Sequence, residues 1–150
     1  MIAEGIPAPE FTLTDDTGTA ITLSQFRGKK VVLYFYPRDN TPGCSREACS
    51  FRDVYDEILE RGAVVMGVST DNTQSHQKFR LKFDLPFYLL MDEEHRVAEE
   101  YGAWGEKKMY GKTSMGIIRS TFIIDEKGTV IKVFPKVKPD EHGPEVLKFL

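Results

Sequence analysis

The sequence predicts an α/β fold, with a mixed, mostly parallel central sheet, helices on both faces and an N-terminal β-hairpin. Three observations predict it. The apolar runs Val31–Tyr36, Ala63–Ser69 and Phe87–Met91 are continuous rather than alternating, as strands buried on both faces require. Each run is followed by a segment that reads as a helix. Ahead of the first run, two alternating stretches flank a turn signal.

Taken in order, Phe11–Thr14 and Thr19–Leu23 alternate around Asp15–Gly18 and form the hairpin. Ser24 caps a short turn that ends at Gly28, and Val31–Tyr36 is the first core strand. From Cys44 to about Arg61 the apolar positions Ala48, Phe51, Tyr55, Ile58 and Leu59 recur at helical spacing, and Gly62 stops the helix. Ala63–Ser69 is the second core strand. Asp71 or Thr73 then caps a polar helix running to about Phe83, which Pro86 closes off. Phe87–Met91 is the third core strand, and Glu93 to Tyr101 a short helix before Gly102. The glycine-rich residues 103–116 read as a mobile loop. Ser120–Ile124 and Thr129–Val133 form a second hairpin through the turn ending at Gly128, and Pro144 opens a C-terminal helix to Leu150. In outline this is thioredoxin-like, a single domain over residues 1–150.

A chain of 150 residues can bury about two thirds of its unfolded surface and needs no crosslink to fold. Its 20 basic and 23 acidic residues are interspersed, with no basic stripe for phosphates, so nucleic acid is not an expected partner. No run reaches the roughly 18 apolar residues of a membrane span, and the first residues lack the basic and apolar regions of a signal peptide. A cytoplasmic location without membrane contact is therefore expected. In that compartment two cysteines stay reduced, which favours catalytic, sensing or inert thiols over a lasting structural disulfide.

Those two cysteines, Cys44 and Cys49, are the only ones in the chain. The strand that ends at Tyr36 breaks at Pro37, Pro42 and Gly43 and reopens as a helix, placing Cys44 in the first turn. Unpaired N–H groups and the helix dipole favour an anion there. A thiol that titrates near about 8.5 when free can fall to roughly 3.5–7.5 in such a place and become a nucleophile.

Residues 37–49 resemble the active-site motif of the peroxiredoxins, Pro-x-x-x-Thr-x-x-Cys, through Pro37, Thr41 and Cys44. The fuller string from Thr41 to Cys49 is similar to the bacterioferritin comigratory protein (Q-type) subfamily, with a second cysteine five residues downstream. Agreement extends through Phe11–Leu13, Leu23–Gly28, Gly67–Asp71, Trp104–Lys107 and Arg119–Asp125. The resemblance implies a thiol-dependent peroxidase acting on hydrogen peroxide and organic hydroperoxides, without cofactor or metal. Cys44 would be peroxidatic and Cys49 resolving, with thioredoxin or glutaredoxin returning the electrons to a monomer or weak homodimer. It also implies that Thr41 and Arg119 hold the peroxide and that Pro37 shields the sulfur. Ser45 stands where the family often has threonine, which keeps the hydroxyl. The chain lacks the Gly-Gly-Leu-Gly and C-terminal Tyr-Phe segments of the members most easily overoxidised, so resistance to excess peroxide is expected.

Spacing adds a constraint. In an ideal helix, residues five apart have Cα atoms about 8.6 Å apart, beyond the roughly 7 Å limit for a disulfide, so the helix must unwind for the cysteines to join. Arg119, set among apolar residues, needs a partner, and Glu47, one turn after Cys44, is the candidate to orient it. Rival readings are a zinc protein, which lacks two further ligands, a redox sensor, and a thioredoxin-type disulfide reductase, which uses Cys-x-x-Cys. His76, His95 and His142 are expected to face solvent.

Overall fold

The structure is a computed structural model that describes residues 1–150, the Met109 side chain excepted. The chain begins with β1 (Thr12–Asp15), β2 (Ala20–Thr22), a 3-10 turn (Leu23–Phe26) and β3 (Lys30–Phe35). Then come α1 (Pro42–Asp53), α2 (Tyr55–Glu60), β4 (Ala63–Ser69), α3 (Thr73–Phe83), β5 (Tyr88–Met91) and α4 (Arg96–Tyr101). It finishes with β6 (Trp104–Met109), β7 (Lys112–Ile117), β8 (Ser120–Ile124), β9 (Val130–Phe134) and α5 (His142–Leu147).

Seven strands form one mixed sheet in the order β2-β1-β5-β4-β3-β8-β9. The apolar strands β3, β4 and β5 lie parallel at its centre, covered by α1, α2, α3 and α5 on one face and by α4 and the 3-10 turn on the other. The N-terminal hairpin joins antiparallel at β5, and β8 and β9 join antiparallel at β3. Alternate residues of β3 serve opposite cores. Val32 and Tyr34 pack with Ala48, Phe51, Ile58, Phe79 and Val146 of α1, α2, α3 and α5. Val31, Leu33 and Phe35 pack with Leu23, Val97, Tyr101 and Ile117 on the other face. The Tyr34 ring stacks on Phe51 at 4.8 Å between centroids and lies across Gly67, where a Cβ would stand 2.9 Å from its Oη. This contact locks the base of α1 onto the sheet.

Several sequence expectations need correction. The helix expected from Cys44 to Arg61 divides at Val54, whose ψ of 12° takes it out of the helical region and whose N–H reaches back to Phe51 O at 3.2 Å. The cap of α3 is Asn72, which accepts from Ser75 N–H at 2.9 Å; Asp71 is occupied instead by Ser69 and Asp39. Helix α4 starts at Arg96 rather than Glu93, because the buried Asp92 carboxylate accepts the N–H groups of Val97 and Ala98. Pro144 is the third residue of α5, a first-turn position that needs no N–H donor.

Residues 103–116 are not a mobile loop. They contain a two-stranded hairpin, β6 and β7, in register from Trp104↔Ile117 to Met109↔Lys112. Its turn residues Tyr110 and Gly111 have φ of 53° and 77°, the left-handed pair that matches strand twist in a two-residue loop. Nor do the histidines all face solvent. His76 and His142 are fully buried, His76 against Asp39 and Leu90 O, His142 against Thr121 and Glu145. Only His95 is partly exposed, stacked on Trp104 at 3.8 Å.

The outer side of β9 meets the start of the chain. Gly5 N–H donates to Val130 O at 2.7 Å, Val130 N–H donates to Ile6 O at 2.9 Å, and the Glu4 carboxylate accepts Val133 N–H at 2.9 Å. No helix among the described residues is long and apolar enough to cross a membrane.

Candidate active site

The site grows from the C-terminal end of β3. After the buried Tyr36 the chain turns through half-buried Pro37 and left-handed Asn40, at φ 59°, and Thr41 precedes α1 in an extended conformation. Pro42 is the first helical residue, where its fixed φ suits the start and its missing N–H costs nothing. Cys44 is therefore the third residue of α1. The helical ladder opens with Ser45 N–H donating to Thr41 O at 2.8 Å, so the amides of Gly43 and Cys44 stand ahead of it. The Thr41 hydroxyl does not cap the helix but donates to Arg38 O at 3.0 Å, leaving its oxygen lone pairs to accept.

Buried Asp39 fixes this turn from beneath. Its carboxylate accepts Tyr36 O–H at 2.5 Å and Ser75 O–H at 2.8 Å, and lies 2.6 Å from His76 Nδ1. His76 Nε2 donates to Leu90 O at 2.9 Å, so the proton between Nδ1 and Asp39 binds an imidazolium to a carboxylate or their neutral equivalents. Burial alone would lower the His76 pKa, but hydrogen bonding and charge from Asp39 outweigh it and raise it. Asp39, Asp71 and His76 have ligating atoms within 4.8 Å of one another. These atoms are already hydrogen-bonded to one another or to Tyr36, Ser69, Ser75 and Leu90, so the cluster's chemistry is that of a brace.

Arg119, between β7 and β8, brings the remaining groups together. Its Nη2–H donates to Cys44 Sγ at 3.2 Å and its Nη1–H to Glu47 Oε1 at 2.6 Å. One rigid fork thus holds the sulfur and the carboxylate. Gly43 makes room for it, because a Cβ there would sit 3.3 Å from Nη2. Glu47 is fully buried, and burial pushes its carboxyl up to about 7 against the pull of the Arg119 charge. Its second oxygen has no partner among the described residues. Burial works against the Arg119 charge too, but Glu47 and the sulfur prevail and the guanidinium stays protonated. Lys107 of β6 adds a half-buried cation to this region. Burial first, then the Arg119 charge, lowers its pKa.

Cys44 is 2 % exposed and Cys49 partly exposed, and both are free thiols. Cys49 stands apart from the Arg119 fork, in a groove of about 340 Å³ lined also by Arg46, Ser50, Val54, Asp140 and Pro144. Burial pushes its thiol up, Arg52 opposing and Asp53 reinforcing. Sequence reasoning reached Glu47 through its one-turn spacing from Cys44. It missed Asp39 and His76, which carry no periodic or motif signal of their own, and gave no role to Lys107, although Lys107 closes the matching stretch Trp104–Lys107.

The sequence profile of the AhpC/TSA family matches residues 5–133. A putative peroxiredoxin bcp of Coxiella burnetii is 49% identical over 146 residues, covering 97% of each chain. Peroxiredoxin Bcp of Bacillus subtilis is also 49% identical over 146 residues, covering 97% of this chain and 93% of the relative. Among solved structures, Xanthomonas campestris bacterioferritin comigratory protein, studied for alkyl peroxide reduction, superposes with a TM-score of 0.88 at 37% identity, covering 93% of this chain and 88% of that one. A mutant PrxQ of Xylella fastidiosa superposes with a TM-score of 0.94 at 33% identity, covering 99% and 95%.

Proposed function

This chain belongs to the AhpC/TSA family and is a thiol peroxidase of the peroxiredoxin kind, and from that premise we propose that Cys44 is its attacking sulfur and Cys49 its resolving one. The single observation that carries the assignment of Cys44 is the Arg119 fork, which donates to its Sγ and is anchored at Glu47; Cys49 is then the one other thiol in the chain.

The Cys44 thiolate attacks one oxygen of a hydroperoxide along the O–O axis. An S–O bond forms, the O–O bond breaks, and the departing hydroxide or alkoxide takes a proton to leave as water or alcohol. Charge moves from sulfur to oxygen, so donors must already face the path. Arg119 Nη2 and the Gly43 and Cys44 amides supply them, while the Thr41 oxygen, its own proton committed to Arg38, accepts the peroxide O–H. Pro37 walls the turn. Cys49 then attacks the sulfenic sulfur: an S–S bond forms, the S–O bond breaks and water leaves. A dithiol protein such as thioredoxin or glutaredoxin returns two electrons and two protons. Because α1 is wound from Pro42 to Asp53, residues 48–50 must unwind before the second attack. Unwinding also brings Cys49 into water, relieving the burial that holds its thiol protonated.

We take the chain to work as one domain over 1–150, in the cytoplasm, as a monomer or weak homodimer. Peroxide consumption coupled to a thioredoxin system tests the assignment. Wild type should turn over, Cys44→Ser should consume none, and Cys49→Ser should give one stoichiometric burst. Turnover by Cys44→Ser sinks it, and insulin reduction without peroxide loss transfers the chain to the disulfide-reductase reading.

A further inference from the structure

The segment of α1 that must unwind is tied to α5. Gly143 is buried against α1 so closely that a Cβ on it would lie 2.1 Å from Ser50 O and 2.8 Å from Phe51 N. The Gly143 N–H donates to Ser50 Oγ at 2.9 Å, and the same hydroxyl donates to Glu47 O at 2.7 Å. Glu141, the residue that precedes α5, makes no side-chain cap, so Ser50 supplies from α1 the acceptor that α5 lacks at its own start.

Helix α5 cannot simply follow α1 when it opens. His142 is pinned to the sheet through Thr121 Oγ1 at 2.8 Å and wedged between the rings of Phe51 and Phe134. Upstream, Val137 N–H donates to Arg119 O at 3.1 Å, and Pro139 lies against the place where a Gly43 Cβ would be. Asp140 reaches Arg46 at 2.6 Å. Residues 137–143 thus form a strap tied to the Arg119 backbone and Thr121 on one side and to Gly43, Arg46 and Ser50 of α1 on the other.

We propose that Ser50 is a positioning residue for the resolving step: its hydroxyl latches α1 to α5, and releasing that latch governs how fast Cys49 reaches the oxidised Cys44. The proposal rests on the assignment of Cys44 and Cys49 above. Each turnover strips Gly143 N–H of its acceptor and parts two backbones in contact. While the latch holds, Cys44 persists as the sulfenic acid; once it releases, the disulfide forms with loss of water.

Rapid mixing with hydrogen peroxide separates the two stages, with dimedone trapping the sulfenic acid and non-reducing mass spectrometry following the disulfide. Ser50→Ala should react with peroxide at the wild-type rate but form the disulfide about three- to tenfold faster, the change one lost hydrogen bond produces. Ser50→Thr, which keeps the hydroxyl, should restore the slow step. Amide exchange of the wild type gives a check that needs no variant: Gly143 N–H should be protected in the reduced protein and exchange freely in the disulfide form. Equal disulfide rates in wild type and Ser50→Ala, or equal Gly143 protection in both redox states, would overturn the latch. Absence of any 44–49 disulfide in wild type would instead remove the assignment it rests on.

Discussion

Glu47→Gln keeps the shape of the side chain and its Oε1 acceptor but removes the charge that Arg119 Nη1 meets at 2.6 Å. Bonds with an ionised partner span about 1.5–3 kcal/mol, and in the variant only Arg119 remains ionised, so moving from the upper to the lower part of that range costs the guanidinium about 1–1.5 kcal/mol of restraint. Nη1 and Nη2 share one rigid plane, and freedom gained at Glu47 is freedom gained at Sγ, 3.2 Å from Nη2. If all of it is felt in the transition state, the rate constant with peroxide falls about five- to tenfold, at roughly 1.4 kcal/mol per decade. Stopped-flow measurement of sulfenic acid formation at pH 8 reads this directly. The pH profile separates positioning from general damage. Glu47 becomes neutral below about 7, so the wild-type rate should approach that of the glutamine variant near the acid end and exceed it most at the alkaline end. A carboxyl raised from 4.5 to about 7 also means that the fold binds a proton the unfolded chain releases. Stability from this group therefore falls as pH rises across that window, and the variant should melt no lower than wild type at pH 8. Equal rates at pH 8 for two well-folded proteins would refute the role given to Glu47.

Arg119→Lys offers one ammonium where two separated nitrogens are needed and should slow peroxide reduction about a hundredfold; a rate within twofold of wild type would contradict the fork. The buried histidines should give melting temperatures opposite pH dependences. The raised His76 contributes stability below its unfolded value of 6.5 that disappears as pH climbs through its folded pKa, whereas burial holds His142 low, so its contribution is present above 6.5 and lost as pH falls. Scanning calorimetry from pH 5 to 9 on His76→Gln and His142→Gln should remove one slope each, and identical profiles would reject both assignments. Gly67→Ala drives a methyl to 2.9 Å from Tyr34 Oη and should cost about 1–3 kcal/mol in urea unfolding; an unchanged midpoint would mean the ring is free to move.

The core strands were legible because burial on both faces demands uninterrupted apolar residues, as in Val31–Tyr36. Cys44 was legible because a proline and a glycine beside it mark a helix start. The β6/β7 hairpin was not. Most of β7 is exposed, so no alternation of polarity marks it, and its turn places Tyr110 where asparagine or aspartate would have been the signal. The break at Val54 carries neither proline nor glycine. His76 and His142 have no pattern around them, because what buries them is Asp39 and Thr121, residues 37 and 21 positions away.

The stitching of residues 4–6 to β9 bears on solubility. A strand at the border of a sheet offers free amides and carbonyls to any other strand that passes, and here Gly5, Ile6 and Glu4 occupy them from within the same molecule. Removing residues 4–6 would uncover the backbone groups of Val130 and Val133 beside the exposed Ile131 and offer that border to edge-to-edge self-association.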